Sequence, residues 1–72
     1  MFDYSFLRGK IVEKVGTCKN LAKKMGIAYQ NLSEKMQNKV FFTQIQIYQI
    51  KNILELSEAE VCRCFFVEKN SE

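Results

Sequence analysis

The chain has 72 residues, a formal net charge of +3 and neither histidine nor proline. A chain of this length predicts one small domain, which removes only about 60% of its unfolded surface from water. With no histidine, a single aspartate and no phosphate-binding glycine loop, the composition argues against an enzyme and indicates neither a cofactor nor a small-molecule substrate.

The N-terminal ten residues lack the charged start and the apolar stretch of a secretory signal peptide. No apolar run in the chain reaches the roughly 18 residues that a membrane span needs. We therefore expect neither export nor membrane insertion, and the predicted compartment is the cytoplasm.

The first predicted helix covers residues 3–15, with Asp3 and Ser5 as alternatives for its N-cap. Its apolar stripe consists of Tyr4, Leu7, Ile11 and Val15. Gly16 follows in a position that favours the left-handed backbone conformation. Gly9 lies inside this helix at a cost of about 1 kcal/mol relative to alanine, and the sequence offers no local reason for it.

The second and third predicted helices are joined by a short turn that contains Gly26. Thr17 caps the second helix, residues 18–25, and the third spans residues 28–37 with Leu32 on its apolar face. The opposite face of the third helix carries Gln30, Glu34 and Gln37, with Asn31 and Asn38 to one side. Helices joined in this way cross steeply, so the second of the pair can enter a DNA major groove.

Residues 40–47 allow two interpretations, because a β-prone run is followed by a period-two alternation typical of a strand. Ile47, Ile50 and Leu54 continue at helical spacing for longer than the alternation lasts. This favours a fourth helix from the Thr43 cap to residue 55 over a short strand.

A capping box at Ser57 predicts a fifth helix that ends near Cys64. The apolar residues 65–67 follow it, either as a dimer contact or packed back onto the first helix, and we expect the chain to dimerise. The domain is predicted to cover residues 1–66, with residues 67–72 as a C-terminal tail.

The three cysteines, Cys18, Cys62 and Cys64, do not form the pattern of a disulfide framework, because their number is odd and two are one residue apart. We expect thiols in a reducing compartment. A zinc site needs about four ligands, so no metal site is predicted. Cys18, at a predicted helix N-terminus, is either an oxidation sensor or, more simply, a surface cysteine.

Charge is concentrated in one half of the chain. Residues 8–39 hold eight basic and two acidic residues, a net charge of +6, whereas residues 40–72 hold three basic and five acidic residues, a net charge of −2. A cationic half suggests a surface for a polyanion such as DNA. Ordinary solvated lysines explain the charge equally well.

The run Leu21-Ala22-x-x-Met25-Gly26-Ile27, followed by Leu32-Ser33 and Lys39, resembles the Cro/C1-type helix-turn-helix family of phage and bacterial transcription regulators. The runs 1–5, 7–11, 16–17 and 38–43 resemble short Cro-like proteins from prophages of Gram-positive bacteria. The resemblance implies an all-α, compact five-helix, lambda-repressor-like DNA-binding domain with a central helix-turn-helix. It also implies a transcriptional repressor that binds a partly palindromic operator in double-stranded DNA as a homodimer.

The same resemblance implies which residues contact DNA. Base contacts are expected at the start of the third helix, from Tyr29, Gln30, Asn31, Ser33 and Glu34. The resemblance also implies phosphate contacts from Thr17, Cys18, Lys19, Gln37, Asn38 and Lys39. Independently of the resemblance, Lys35 is expected to contact phosphate because of its positive charge. Cys18 and Lys35 depart from the family pattern, which often has a glutamine and an apolar residue at these two positions.

A second function stays open at this point. The third helix has no arginine, which removes the commonest guanine contact, and it carries Glu34, which repels phosphate. The alternative is therefore a helix-turn-helix module whose amide-rich face holds a partner regulator or acts as an antitoxin-like plug, without binding DNA itself. The sequence specifies neither an operator nor the genes it would control.

Overall fold

The computed structural model describes residues 1–69, which form five helices and no β-strand. The helices are α1 (Ser5–Lys14), α2 (Cys18–Met25), α3 (Tyr29–Met36), α4 (Gln44–Ile53) and α5 (Glu58–Phe65). The predicted all-α fold of five helices around a helix-turn-helix is confirmed. The alternative strand over residues 40–47 is wrong, because its second half is the start of α4.

The first helix begins two residues later than predicted, and its N-cap position is Tyr4, whose side chain makes no capping hydrogen bond, rather than Asp3 or Ser5. One carboxylate oxygen of Asp3 accepts the backbone N–H of Ser5 at 2.9 Å and the Ser5 hydroxyl at 2.6 Å. These two hydrogen bonds hold the pKa of Asp3 below its ordinary value. Asp3 therefore satisfies one of the free N–H groups of the first turn.

Side-chain caps start three of the remaining helices at the residues that the sequence predicts. Thr17, Thr43 and Ser57 each accept a hydrogen bond from the backbone N–H three residues on. At α4 and α5 the cap is reciprocal, because the side chains of Gln46 and Glu60 accept the backbone N–H of the capping residue. Each such cap contributes about 1 kcal/mol to helix stability.

The turn between α2 and α3 depends on Gly26, which has a φ of 77°. In this left-handed conformation the Gly26 N–H donates to the Lys23 carbonyl and the Ile27 N–H donates to the Ala22 carbonyl. These two hydrogen bonds terminate α2. The chain reverses within three residues, and α3 packs against α2. Gly26 therefore has the turn-forming role that its position predicts.

The core lies between all five helices and is built mainly from aliphatic side chains. Seven side chains are fully buried: Leu7, Ile11, Leu21, Leu32, Ile50, Leu54 and Cys64. Met36 is also buried, so Leu32 and Met36 anchor α3 together as the sequence predicts. None of the helices in residues 1–69 is both long and apolar enough to cross a membrane.

The described part of the predicted tail pairs with the N-terminus. The N–H of Asp3 donates to the carbonyl of Val67 at 2.8 Å, and the N–H of Lys69 donates to the carbonyl of Met1 at 2.9 Å. Phe65 packs back into the core, whereas Phe66 and Val67 stay exposed. The domain boundary after residue 66 stays a prediction, and residues 70–72 lie outside the described part of the chain.

We predict that Gly9→Ala stabilises the protein by about 0.5–1 kcal/mol, because alanine restricts the unfolded chain and favours the helix. No atom lies within 4 Å of the position that its Cβ would occupy, apart from the neighbouring helix backbone. Urea unfolding followed by circular dichroism measures the change. Gly26→Ala, at a φ of 77°, is the control and should destabilise by about 1 kcal/mol. A loss of stability in Gly9→Ala would contradict the open surroundings of residue 9.

Candidate functional site

The five residues predicted to contact bases all lie on α3. Tyr29, Gln30 and Asn31 are exposed, and Ser33 and Glu34 are half-buried. Three of them are already paired along the helix: Gln30 donates to the Glu34 carboxylate at 3.2 Å, and Ser33 accepts from Gln37 at 2.9 Å. The polar face of α3 therefore satisfies part of its own hydrogen-bonding capacity.

The residues predicted to contact phosphate are divided between two places. Thr17, Cys18 and Lys19 lie at the start of α2, where the Thr17 hydroxyl oxygen already accepts the backbone N–H of Asn20 at 3.1 Å. The ammonium of Lys19 lies 5.7 Å from the centroid of the Tyr29 ring, in a cation–π contact. Gln37 and Lys39 lie on the exposed loop after α3.

Lys35 and Asn38 have structural roles that differ from the predicted phosphate contacts. Lys35 is only 6% exposed, and its ammonium donates to the backbone carbonyl of Phe41 at 3.4 Å. The Asn38 side chain makes two hydrogen bonds to the backbone of Phe2, at 2.8 and 2.9 Å. Both side chains point into the structure because the loop after α3 folds back over the N-terminus.

A groove on another part of the surface was not predicted. Its volume is about 280 Å³, and it is lined by Phe2, Tyr4, Phe41, Phe42, Ile47, Phe65 and Phe66. Every lining residue is aromatic or aliphatic, and none is charged. We call this feature the aromatic groove.

The rings of the aromatic groove are arranged in a connected series. Phe2 lies 6.1 Å from Phe41, Tyr4 lies 5.5 Å from Phe42, and Phe42 lies 5.1 Å from Phe65, each pair edge to face. Phe2 and Tyr4 join the two halves of the series at 6.2 Å. Edge-to-face pairs of this kind contribute about 0.5–1.5 kcal/mol each beyond the burial of their area.

The groove is open to water at two of its rings. Phe41 is 72% exposed and Phe66 is 58% exposed, which is unusual for phenylalanine in a small domain. Residues 40–50, which form one side of this region, contain no charged residue. Burial raises the pKa of the Tyr4 phenol, so this side chain is also neutral near pH 7. The groove can therefore bind an apolar partner surface but offers little to an anion.

The sequence contains a partial signal for this groove. The pairs Phe41-Phe42 and Phe65-Phe66 are visible in the sequence. For residues 65–67 the sequence allows two roles, a dimer contact or packing onto the first helix. What it does not show is that these pairs meet each other and the N-terminal Phe2. The three segments lie more than 20 residues apart, and only the folded chain brings them together.

The fold is that of a small helix-turn-helix domain, and its surface carries an exposed apolar groove. The family model of a protein of unknown function (DUF739) matches residues 1–68, and the chain belongs to this family. No curated protein matches the chain. The resemblance to Cro/C1-type regulators stays a prediction.

One solved structure that matches is the solution structure of the modulator of repression of the temperate bacteriophage TP901-1 from Lactococcus lactis. It is 38% identical in sequence, has a TM-score of 0.79, and the alignment covers 90% of this chain and 88% of that chain. That protein is named for modulating repression, which is a different role from that of the repressor. The prediction of a DNA-binding, Cro-like repressor is therefore wrong, and the finding favours the alternative of a protein-binding module.

The two cysteines of α5 differ strongly in accessibility, which allows a test of the packing of this helix. Cys62 is exposed, whereas Cys64 is fully buried, and burial raises the pKa of the Cys64 thiol to about 11. At about pH 8 roughly 0.1% of such a thiol is the reactive thiolate. We predict that iodoacetamide labels Cys62 at least about 100-fold faster than Cys64 in the native protein.

Cleavage by trypsin after Arg63 places the two cysteines in separate peptides, so mass spectrometry measures each rate directly. Labelling in urea is the control, because unfolding should make the two rates similar. Equal rates in the native protein would contradict the buried position of Cys64.

Proposed function

We propose that this chain modulates a phage repressor by binding it directly, through the aromatic groove, in the cytoplasm of the host. The observation that carries the proposal is its 38% identity, over 90% of the chain, to a protein named as a modulator of repression. A protein can modulate repression by contacting the repressor or by contacting what the repressor binds. The chemistry of the groove supports the first of these two.

The groove has the composition of a protein-binding surface. Exposed aromatic side chains that lie side by side are common at the centre of protein interfaces and rare elsewhere on small domains. Burying the exposed 72% of Phe41 would contribute roughly 1–2 kcal/mol before entropy losses. A partner that covers this ring would therefore gain roughly tenfold in affinity from that contact.

The polar face of α3 is a weaker candidate for the same role, although the sequence points to it. Gln30 pairs with Glu34, and Gln37 pairs with Ser33, so a partner would have to replace hydrogen bonds that already exist. Tyr29, the only exposed aromatic side chain on that face, is covered on one side by Lys19. The groove, in contrast, has apolar rings in contact with water, and their burial is favourable.

Phe41→Ser tests the groove as the binding site. We expect this variant to bind the repressor encoded in the same genome at least about tenfold more weakly, because a buried ring is lost from the interface. Calorimetric titration measures the affinity. Its stability should change by less than about 1 kcal/mol, since the ring is mostly exposed.

Val12→Ser is the matched control for Phe41→Ser. Val12 is 67% exposed on the outer face of α1, away from the groove, so its loss removes apolar surface without touching the rings. We expect wild-type affinity for this variant. Equal affinities for all three proteins would show that the groove does not hold the repressor.

Salt dependence separates direct repressor binding from binding to the operator. An apolar interface should change its Kd by less than about threefold between about 50 and 200 mM salt, because no counterions are released. Contacts to six or more phosphates would lower the affinity by about 10³-fold or more over the same range. Fluorescence anisotropy with the labelled repressor and, separately, with labelled operator DNA gives both values. Tight, salt-sensitive binding of the chain alone to the operator would contradict the proposal.

A further inference from the structure

Asn38 joins the helix-turn-helix to one wall of the aromatic groove. It follows α3 in the left-handed backbone conformation, with a φ of 65°. Its side-chain oxygen accepts the backbone N–H of Phe2 at 2.8 Å, and its amide nitrogen donates to the Phe2 carbonyl at 2.9 Å. One side chain thus pairs with both polar backbone groups of a residue 36 positions away.

The N-terminal segment is held on two sides as a result. In an extended segment, the backbone groups of successive residues point in opposite directions. Met1 and Asp3 pair with the residues that follow α5, at 2.9 and 2.8 Å, and Phe2 between them pairs with Asn38. The side-chain amide of Asn38 therefore makes the two backbone hydrogen bonds that a neighbouring β-strand would make at the free edge of this segment.

This pairing determines where the Phe2 ring lies. Phe2 lines the groove, and the centroid of its ring lies 6.1 Å from that of Phe41. Phe41 belongs to the loop that begins at Asn38. Other hydrogen bonds of the loop stay within α3 and the loop itself, such as the Lys39 N–H to the Glu34 carbonyl at 3.0 Å and the Lys35 ammonium to the Phe41 carbonyl at 3.4 Å. The two bonds of Asn38 are therefore the main polar link between the loop and the groove wall.

We propose that Asn38 is a positioning residue for partner binding: it fixes Phe2 against Phe41 and so sets the width of the aromatic groove. This inference rests on the proposed function, since the groove must be where the partner binds. Asparagine suits the position for two separate reasons. It tolerates the left-handed conformation, and it carries both a donor and an acceptor.

Asn38→Gly separates these two reasons, because glycine keeps the left-handed backbone and removes only the side-chain amide. Glu55→Gly is the matched control, since Glu55 also has a positive φ, of 56°, and lies in the turn after α4. Nuclear Overhauser contacts between the rings of Phe2 and Phe41 report the groove wall, and titration with the repressor from the same genome reports binding.

We expect Asn38→Gly to keep the helical circular dichroism spectrum, to lose the ring contacts and to bind the repressor at least about fivefold more weakly. Glu55→Gly should leave the ring contacts and the affinity unchanged. Wild-type affinity in an Asn38→Gly protein that has lost the ring contacts would overturn the positioning role. Unchanged ring contacts in Asn38→Gly would overturn it as well.

The wild-type protein provides a measurement that needs no variant. Hydrogen exchange of the Phe2 amide and of the Asn38 side-chain amide should be at least about tenfold slower than in an unstructured peptide, because both are hydrogen-bonded. Fast exchange at both groups would overturn the inference. If the wild-type protein does not bind the repressor, the proposed function fails, while the ring contacts and the exchange rates still test the position of Phe2.

Discussion

Three segments that are distant in the sequence are held together by aromatic rings that meet edge to face. The N-terminal residues bring Phe2 and Tyr4, the loop after α3 brings Phe41 and Phe42, and the end of α5 brings Phe65. A domain of this size has few aliphatic side chains with which to close its core, so these rings complete it. Some of the rings that line the groove, such as Phe41 and Phe66, remain exposed to water.

The helix-turn-helix and the aromatic groove are connected by the loop that follows α3. Leu32 and Met36 anchor α3, and the chain then turns back at Asn38 so that the following loop covers the N-terminus. Of the polar side chains on this loop, Asn38 hydrogen-bonds to backbone of the same chain, whereas Gln37 and Lys39 lie exposed.

Most of the fold could be predicted from local patterns. The capping residues Thr17, Thr43 and Ser57 and the turn at Gly26 all act as the sequence indicates, and the helix boundaries differ by at most two residues. The site could not be predicted in this way. The amides and lysines of α2 and α3 have the pattern of DNA contacts, but the pattern does not say that Lys35 is buried or that Asn38 binds the backbone of Phe2.

The sequence by itself determined the number of helices, the three side-chain caps at Thr17, Thr43 and Ser57, and the apolar stripe of each helix, because these depend on residues within one or two turns of each other. Only the tertiary structure decided that aromatic residues from both ends of the chain meet at one surface and that Asn38 reaches the backbone of Phe2. Contacts across 36 residues depend on how the helices pack, and no local spacing records that arrangement.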